Sequence, residues 1–517
     1  LSRIRTNALA LAGSFFSTAF LAFLQVKIIT NYLDRTEVGI WSTVIAVGAL
    51  CATLSENGLP MVLVRFGAKY DAEGRLPRLF KLWWFAVRVF SVALLGVIGL
   101  LIVGGPGISR LLGGGEVDRW ILVLGYVTVG SGSLRAFNNA SFRGLRRMTA
   151  MAVLEISFAA TVTVVLFLLR HRLTVPLVLS ISLGSGLLWA SIGIVILLRI
   201  LRGLQVDADP ARIAPPIRPE IRHYWQGAAA AGIFLVAIEQ LDKPILATLV
   251  SFDRLALFHV AARLALFARR LIYVPFQVMN PEVTHKWESN RREELRHDME
   301  LFSKLTLGLG LSMAAGLAVF ARPLLLLVST PEFLAGAPVL WMFTAVLPLI
   351  CLHQPMVMFL RATGRVWYAF IGDATWLVTY LGVGSLLVHR FGLAGFVFGQ
   401  VVASSLILVY NLVIFHHLEF PRPPVAFFLK RLALGAVVWG AAAAAGHVLP
   451  MWPWWQLILL AVLIGIVGNF LMVRGRFLTP AEEKRTVHML AGRGGLGRAA
   501  QFLLTWPRGI GAPGESR

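Results

Sequence analysis

The chain has 517 residues, of which 57% are hydrophobic and 14% charged, and its mean hydropathy is +0.75. A soluble protein of this length carries about a quarter charged residues and splits into several domains, whereas here the apolar residues fall in runs of ~20 or more, the length that crosses a bilayer's hydrocarbon core. The net charge of +22 lies mostly in alternate loops, which reads as membrane topology and not as a nucleic-acid surface, and the runs lack the alternation of a β-barrel.

The fold class expected is all-α and polytopic, with about fourteen transmembrane helices. The first six spans run roughly over 8–32, 37–64, 80–104, 119–142, 149–170 and 174–200, closing a first lobe at residue 201. No cleavable signal peptide is expected in the first run, which is long and lacks a small-residue cleavage site. A polar, proline-containing linker over 202–222 follows. The next six spans run over 224–250, 255–280, 302–329, 338–360, 366–388 and 392–416, giving a second lobe over 223–418. Two additional spans, near 427–449 and 453–473, fill 419–474, and 475–517 is a basic, glycine-rich tail. Gly492-Arg493-Gly494-Gly495 in that tail is a poor dinucleotide fingerprint, because no strand precedes it. Cys51 and Cys351 both fall in apolar runs, so neither a disulfide framework nor a zinc site is implied.

The second lobe repeats the first at an offset of 217–218. Arg143, Arg147 and Glu155 are answered by Arg361, Arg365 and Asp373, and Gly39-Ile40-Trp41 by Ala256-Leu257-Phe258. Basic loops alternate with short, nearly neutral ones such as Asp34 to Glu37 and Ser251 to Arg254, which places both termini in the cytoplasm. An even number of spans per repeat makes the lobes parallel, related by an axis along the membrane normal, with a transport site expected between them.

Ionisable residues inside spans are costly and mark interior faces or wet cavities. Lys27 lies more than a turn inside span 1, and Glu56 with Asn57 lies inside span 2 beside Gly58 and Pro60. Arg88 is about two turns inside span 3, where snorkelling to the interface is a competing explanation. In span 7, Glu239, Asp242 and Lys243 share a helical face, and Pro244 breaks the hydrogen bond to the Gln240 carbonyl. That segment is either a coupling element or a satisfied Asp–Lys clamp. Span 8 carries His259, Arg263 and Arg270 on one stripe, with Arg269 adjacent. These arginines favour a cationic cavity wall for an anionic substrate, since guanidinium binds phosphate bidentately; structural ion pairing is the alternative. The duplicated set of Arg143, Arg147, Glu155, Arg361, Arg365 and Asp373 reads as an inner gate or as loop-fixing ion pairs. His353, Gln354 and Gln400 are weaker cavity-lining candidates. No metal-ligand spacing, phosphate loop or catalytic triad has sequence context, so no cofactor or enzymatic activity is expected.

The stretch from Ile28 to Gly58, IITNYLDRTEVGIWSTVIAVGALCATLSENG, resembles the opening of the Wzx-type oligosaccharide flippases of the MATE/flippase superfamily, with the glycine–aromatic pair at Gly39 and Trp41. The segment LDKPILATLVSFDRLALFHVAARL is similar to the family's span 7 to span 8 passage, with Ala256 and Phe258 replacing the commoner Gly and Tyr. The resemblance covers about residues 5–420. It implies translocation of a polyprenyl-pyrophosphate-linked oligosaccharide across the bacterial inner membrane through a cationic cavity, matched in character by Lys27, Arg88, Arg263 and Arg270. Membrane lipid and polysaccharide polymerase machinery are the expected partners, and the carboxylates Glu56, Glu239 and Asp242 are candidates to couple the cycle to H⁺ or Na⁺, since a carboxylate can carry a proton. In the related lipid-linked-peptidoglycan flippases spans 1, 2 and 8 carry cations; the acidic Glu56 departs from that pattern and weakens a peptidoglycan-precursor assignment. The rivals are a multidrug exporter of the same superfamily and, less consistent with the short outward loops, a membrane glycosyltransferase or polymerase.

Overall fold

The computed structural model describes residues 2–73, 76–112, 115–145, 147–203, 219–418, 420 and 425–448. Among these residues the secondary structure is helical, without a strand. The helices are α1 (Ser2–Tyr32), α2 (Arg35–Glu56), α3 (Leu59–Ala72), α4 (Leu76–Leu111), α5 (Arg119–Gly144), α6 (Met148–Leu168), α7 (Val175–Gly203), α8 (Pro219–Gln240), α9 (Asp242–Leu249), α10 (Phe252–Glu288), α11 (Arg292–Val319), α12 (Ala321–Val328), α13 (Ala337–Ala362), α14 (Val366–His417) and α15 (Val425–Val448). Eight of the helical segments are long and apolar enough to cross a membrane. The span expected near 453–473, most of the 202–222 linker and the 475–517 tail lie outside the described residues.

Two compact units partition the chain. The first holds residues 1–260 with 328–330, and the second holds 261–327 and the residues from 331 on, so α10 starts in one and continues in the other.

In the first unit α5 is the hub, because three different helices bond to it along its length. Tyr126 meets α2, where its hydroxyl and that of Ser55 lie 2.6 Å apart. Thr128 and Asn138 serve α7, donating to the carbonyls of Leu179 at 3.2 Å and Ala190 at 2.9 Å. Arg135 and Asn139 face Glu155 on α6. Helix α1 then packs on α6, where Gln25 donates to the Ala159 carbonyl at 3.0 Å and to Thr163 Oγ1 at 3.1 Å. Each bond satisfies a polar group that lipid could not.

Span 2 is not the single helix expected over 37–64. Asn57 (φ 47°) and Gly58 (φ 70°) are both left-handed, which ends α2 and starts α3. Glycine is required at 58 for a second reason: a Cβ there would lie 2.4 Å from the Ala228 carbonyl carbon of α8. The indole N–H of Trp225, also on α8, donates to the Asn57 carbonyl at 2.6 Å and so fixes the break. Span 7 breaks as its proline dictates, into α8 and α9 around Leu241. Spans 11 and 12 together form α14, which is interrupted at Gly392 (φ 61°, ψ −151°).

The start of α2 carries a capping box: Asp34 Oδ1 accepts from Glu37 N at 2.7 Å, and the Glu37 carboxylate accepts from Asp34 N at 3.4 Å. It packs against the start of α10 through Arg35–Asp253, an ion pair of 3.2 Å, and through an edge contact of Trp41 with His259 at 5.2 Å. Asp253 lies in the first turn of α10, beside the short α9–α10 connection and outside the membrane-spanning segments. The Ser251 hydroxyl, with Arg35 adding to it, holds its carboxyl below the ordinary value of 3.8. A depressed folded pKa stabilises above the unfolded value and loses that contribution as pH falls through the folded one. The melting temperature of purified protein is therefore expected to fall with pH below 3.8; an Asp253→Asn variant with an equally steep fall would remove Asp253 as its cause.

In the second unit α13 packs between α11 and α14, and α15 lies on α11. Helix α13 carries Pro348 and Pro355. Pro355 leaves the Cys351 carbonyl without its helical donor, and the Thr306 hydroxyl of α11 lies 3.3 Å from that oxygen. The indoles of Trp341 and Trp439 tie the same bundle, donating to the Ala318 carbonyl at 2.9 Å and to Thr344 Oγ1 at 2.8 Å. Trp287, Phe359, Phe415 and Phe420 close one end as an aromatic cluster.

Candidate functional site

One intramembrane charge cluster of the first unit centres on Arg135, a residue that the sequence reading did not single out. Its Nη1 lies 3.4 Å from Glu155 Oε1, and its guanidinium lies 3.3 Å from the ring centroid of Phe158, one turn beyond Glu155 on α6. Asn139 Nδ2 donates to the same Glu155 oxygen at 2.6 Å. The side chains of Arg135 and Glu155 keep 17% and 31% of their surface exposed. On another face of α5 Glu56 is set against Ser133. The signal that would have found Arg135 is an arginine about two turns inside an apolar span, with an acid inside the next one.

The duplicated arginines divide between roles. Arg361 pairs with Asp373. Glu155, the counterpart of Asp373, takes Arg135 instead of the expected neighbours. Arg143 turns to Met151, with Nε 3.2 Å from the sulfur, and Arg147 and Arg365 are exposed at the starts of α6 and α14. Their backbones nevertheless repeat: Arg147 N bonds the Phe142 carbonyl and Arg365 N the Leu360 carbonyl, both at 2.8 Å. The offset of 218 thus preserves a turn while the side-chain partners differ.

In the second unit Arg269 of α10 is half-buried, and its charge acts on both His353 of α13 and Asp373 of α14. His353 is 5% exposed, and neither ring nitrogen has a hydrogen-bond partner. Gln400 is buried. Arg263 is exposed, and the side chain of Arg270 lies outside the described residues. His259, expected on the same stripe, is instead a core residue of the first unit against Trp41.

The remaining candidates lie in the first unit. Lys27 is half-buried; Gln25 faces α6, so Lys27 two residues later projects away from it. Arg88 is exposed and lies over the Trp84 ring at 5.3 Å, one turn toward the start of α4, as a snorkelling side chain does. Glu239 is exposed, whereas Asp242 and Lys243 are buried as an ion pair of 3.2 Å. The Lys243 ammonium also bonds the Glu239 carbonyl and Gln240 Oε1, each at 3.1 Å. A separate cleft of about 400 Å³ between Arg110, Glu116 and the 247–252 segment contains none of these residues.

No curated protein matches this sequence. Solved structures do share its fold. The lipid II flippase MurJ, in an inward closed conformation, superposes with a TM-score of 0.67 at 14% identity, over 91% of this chain and 100% of that one. An inward-facing multidrug resistance MATE family transporter of the MOP superfamily gives 0.63 at 13% identity, over 81% and 99%. The Vibrio cholerae MATE transporter VcmN, in its bent form, gives 0.51 at 15% identity, over 85% and 100%. The polytopic helical fold is that of flippases and transporters, as the resemblance around Gly39 and Trp41 implied. Residues 4–285, more than half of the 517, match the family of polysaccharide biosynthesis proteins, and the chain belongs to that family.

Proposed function

We propose that the protein is a flippase that carries a polyprenyl-pyrophosphate-linked oligosaccharide from the cytoplasmic to the outer leaflet of the bacterial inner membrane, without catalysing a covalent reaction. Two parallel six-helix lobes, 1–201 and 223–418, rock about a central cavity, with both termini in the cytoplasm. The prenyl tail stays in lipid, the pyrophosphate meets cations, and the glycan crosses through water. Polysaccharide polymerase machinery receives the product.

The observation that carries this reading is the set of cations within or beside the spans of a polysaccharide-biosynthesis chain: Lys27, Arg135, Arg263 and Arg269. Such charges are tolerated where they pair or face a wet cavity, and guanidinium matches phosphate oxygens in geometry as well as charge. The MATE neighbours share the fold, but a cationic drug calls for an acidic cavity. The movement of H⁺ or Na⁺ through Glu56, Glu239 or Asp242 supplies the driving force.

The test is reconstitution into proteoliposomes with a fluorescent lipid-linked oligosaccharide, scored by its access to an external quencher. Wild type is expected to flip it, and an Arg263→Ala, Arg270→Ala double variant to lose at least about tenfold in rate, the equivalent of one missing charge-assisted contact. Normal flipping by the double variant would sink the span 8 cation site. Failure of wild type alongside uptake of a cationic dye would favour the drug exporter.

A further inference from the structure

Arg135 sits in a prepared setting. The guanidinium lies back along α5, with Nη2 3.7 Å from where a Cβ on Gly132, one turn earlier, would sit. Phe158 supports one face of the plane, so the orientation of the fork is set by packing. Its donors are only partly used. The bond to Glu155 is 3.4 Å long, against about 2.7–2.9 Å for a well-formed charge-assisted bond. Nε is buried and has no acceptor. Asn139 holds the Glu155 oxygen far more closely, at 2.6 Å. The carboxylate is thus anchored mainly by the amide, and it is the more exposed partner of the pair.

The repeat sharpens the point. At an offset of 218 Arg135 becomes His353 and Glu155 becomes Asp373. The second unit keeps the carboxylate, with Arg361 as its partner and Arg269 of α10 acting on it. A carboxylate facing a guanidinium is thus present in both units, although the cations come from different helices. An oriented arginine with an unsatisfied donor, loosely covered by an anion of the protein itself, suits a ligand that brings a better anion. A phosphate offers several acceptor oxygens in the geometry of the guanidinium fork.

We propose that Arg135 is the phosphate-binding cation of the first unit: the substrate's pyrophosphate takes its guanidinium in place of Glu155, which Asn139 retains. This rests on the flippase reading and assigns to it a specificity residue that neither the loop charges nor the repeat had identified. No bond is made or broken; one ion pair exchanges for another.

The experiment uses the full chain in lipid nanodiscs with three synthetic probes of equal chain length: a polyprenyl pyrophosphate, a polyprenyl monophosphate and a polyprenol, with binding read by native mass spectrometry. Wild type is expected to prefer the pyrophosphate. Arg135→Gln should weaken that binding by about tenfold or more and leave polyprenol unchanged. Arg135→Lys should fall between, because an ammonium supplies charge without the fork. Glu155→Gln should bind the pyrophosphate several-fold more tightly, since a neutral amide competes less for the guanidinium. Wild-type affinity in Arg135→Gln, or unchanged or weaker binding in Glu155→Gln, overturns the proposal. If Arg135→Gln does not fold, the loss in Arg135→Lys and the gain in Glu155→Gln decide it. Absence of pyrophosphate binding by wild type overturns the flippase reading itself, which is a distinct result.

Discussion

Replacing Gly39 by alanine is expected to abolish or severely reduce folded protein. A Cβ at this position would lie 2.0 Å from the Phe252 carbonyl oxygen and 2.6 Å from its carbon. Both are backbone atoms at the start of α10, so no rotamer change relieves the clash, and α2 must move away. That movement would also pull on the Arg35–Asp253 pair and the Trp41–His259 contact, which bracket the same junction. Overpacking in a close-packed core costs about 1–3 kcal/mol when neighbours can adjust; at least about 3 kcal/mol is expected here, a large share of a total of roughly 5–15 kcal/mol. The check is the monodisperse yield and melting temperature of the detergent-solubilised protein. Gly96→Ala is the control, because nothing lies within 4 Å of its Cβ. A Gly39→Ala protein that melts with wild type would mean that the α2–α10 junction is not the close contact described.

The same glycine shows what the sequence made legible. Gly39 and Trp41 stood out as a glycine–aromatic pair, and the pair proves to be where two helices touch. The helical class was readable because lipid forces every backbone group into an internal bond, so apolar runs become helices with little ambiguity. The break at Leu241 was readable too, since Pro244 removes a specific hydrogen bond. The break at Asn57–Gly58 was not: the apolar run continues through it, and what ends α2 is the Trp225 indole and the Ala228 backbone, both about 170 residues away. Charge partners were the least legible. Glu155 has cationic neighbours in sequence at Arg143 and Arg147, but helix geometry points it at Arg135, about two turns deeper along α5. Sequence spacing orders residues along one helix and is silent on the rotation of its neighbour.

The second large effect is expected at Asp242. Its carboxylate and the Lys243 ammonium are each about one-tenth exposed and lie 3.2 Å apart where α8 breaks into α9. Pro244 leaves that turn with a missing backbone donor, and the ammonium braces the same turn by bonding the Glu239 carbonyl and the Gln240 side-chain oxygen. Removing one member of a buried pair strands the other charge, which costs about 3–5 kcal/mol, whereas removing both is often nearly neutral. Asp242→Ala should therefore lower the melting temperature sharply. Asp242→Asn should do less harm because it keeps an oxygen toward Lys243, and the Asp242→Ala, Lys243→Met double variant should recover most of the loss. The coupling read from that cycle is the measure of the pair. Transport separates the two roles that the segment offers. A stable double variant that flips lipid-linked oligosaccharide normally makes the pair a clamp on the kink, and a stable but inactive one makes it part of the coupling machinery. A double variant as unstable as Asp242→Ala alone would show that Asp242 holds the turn through partners other than Lys243.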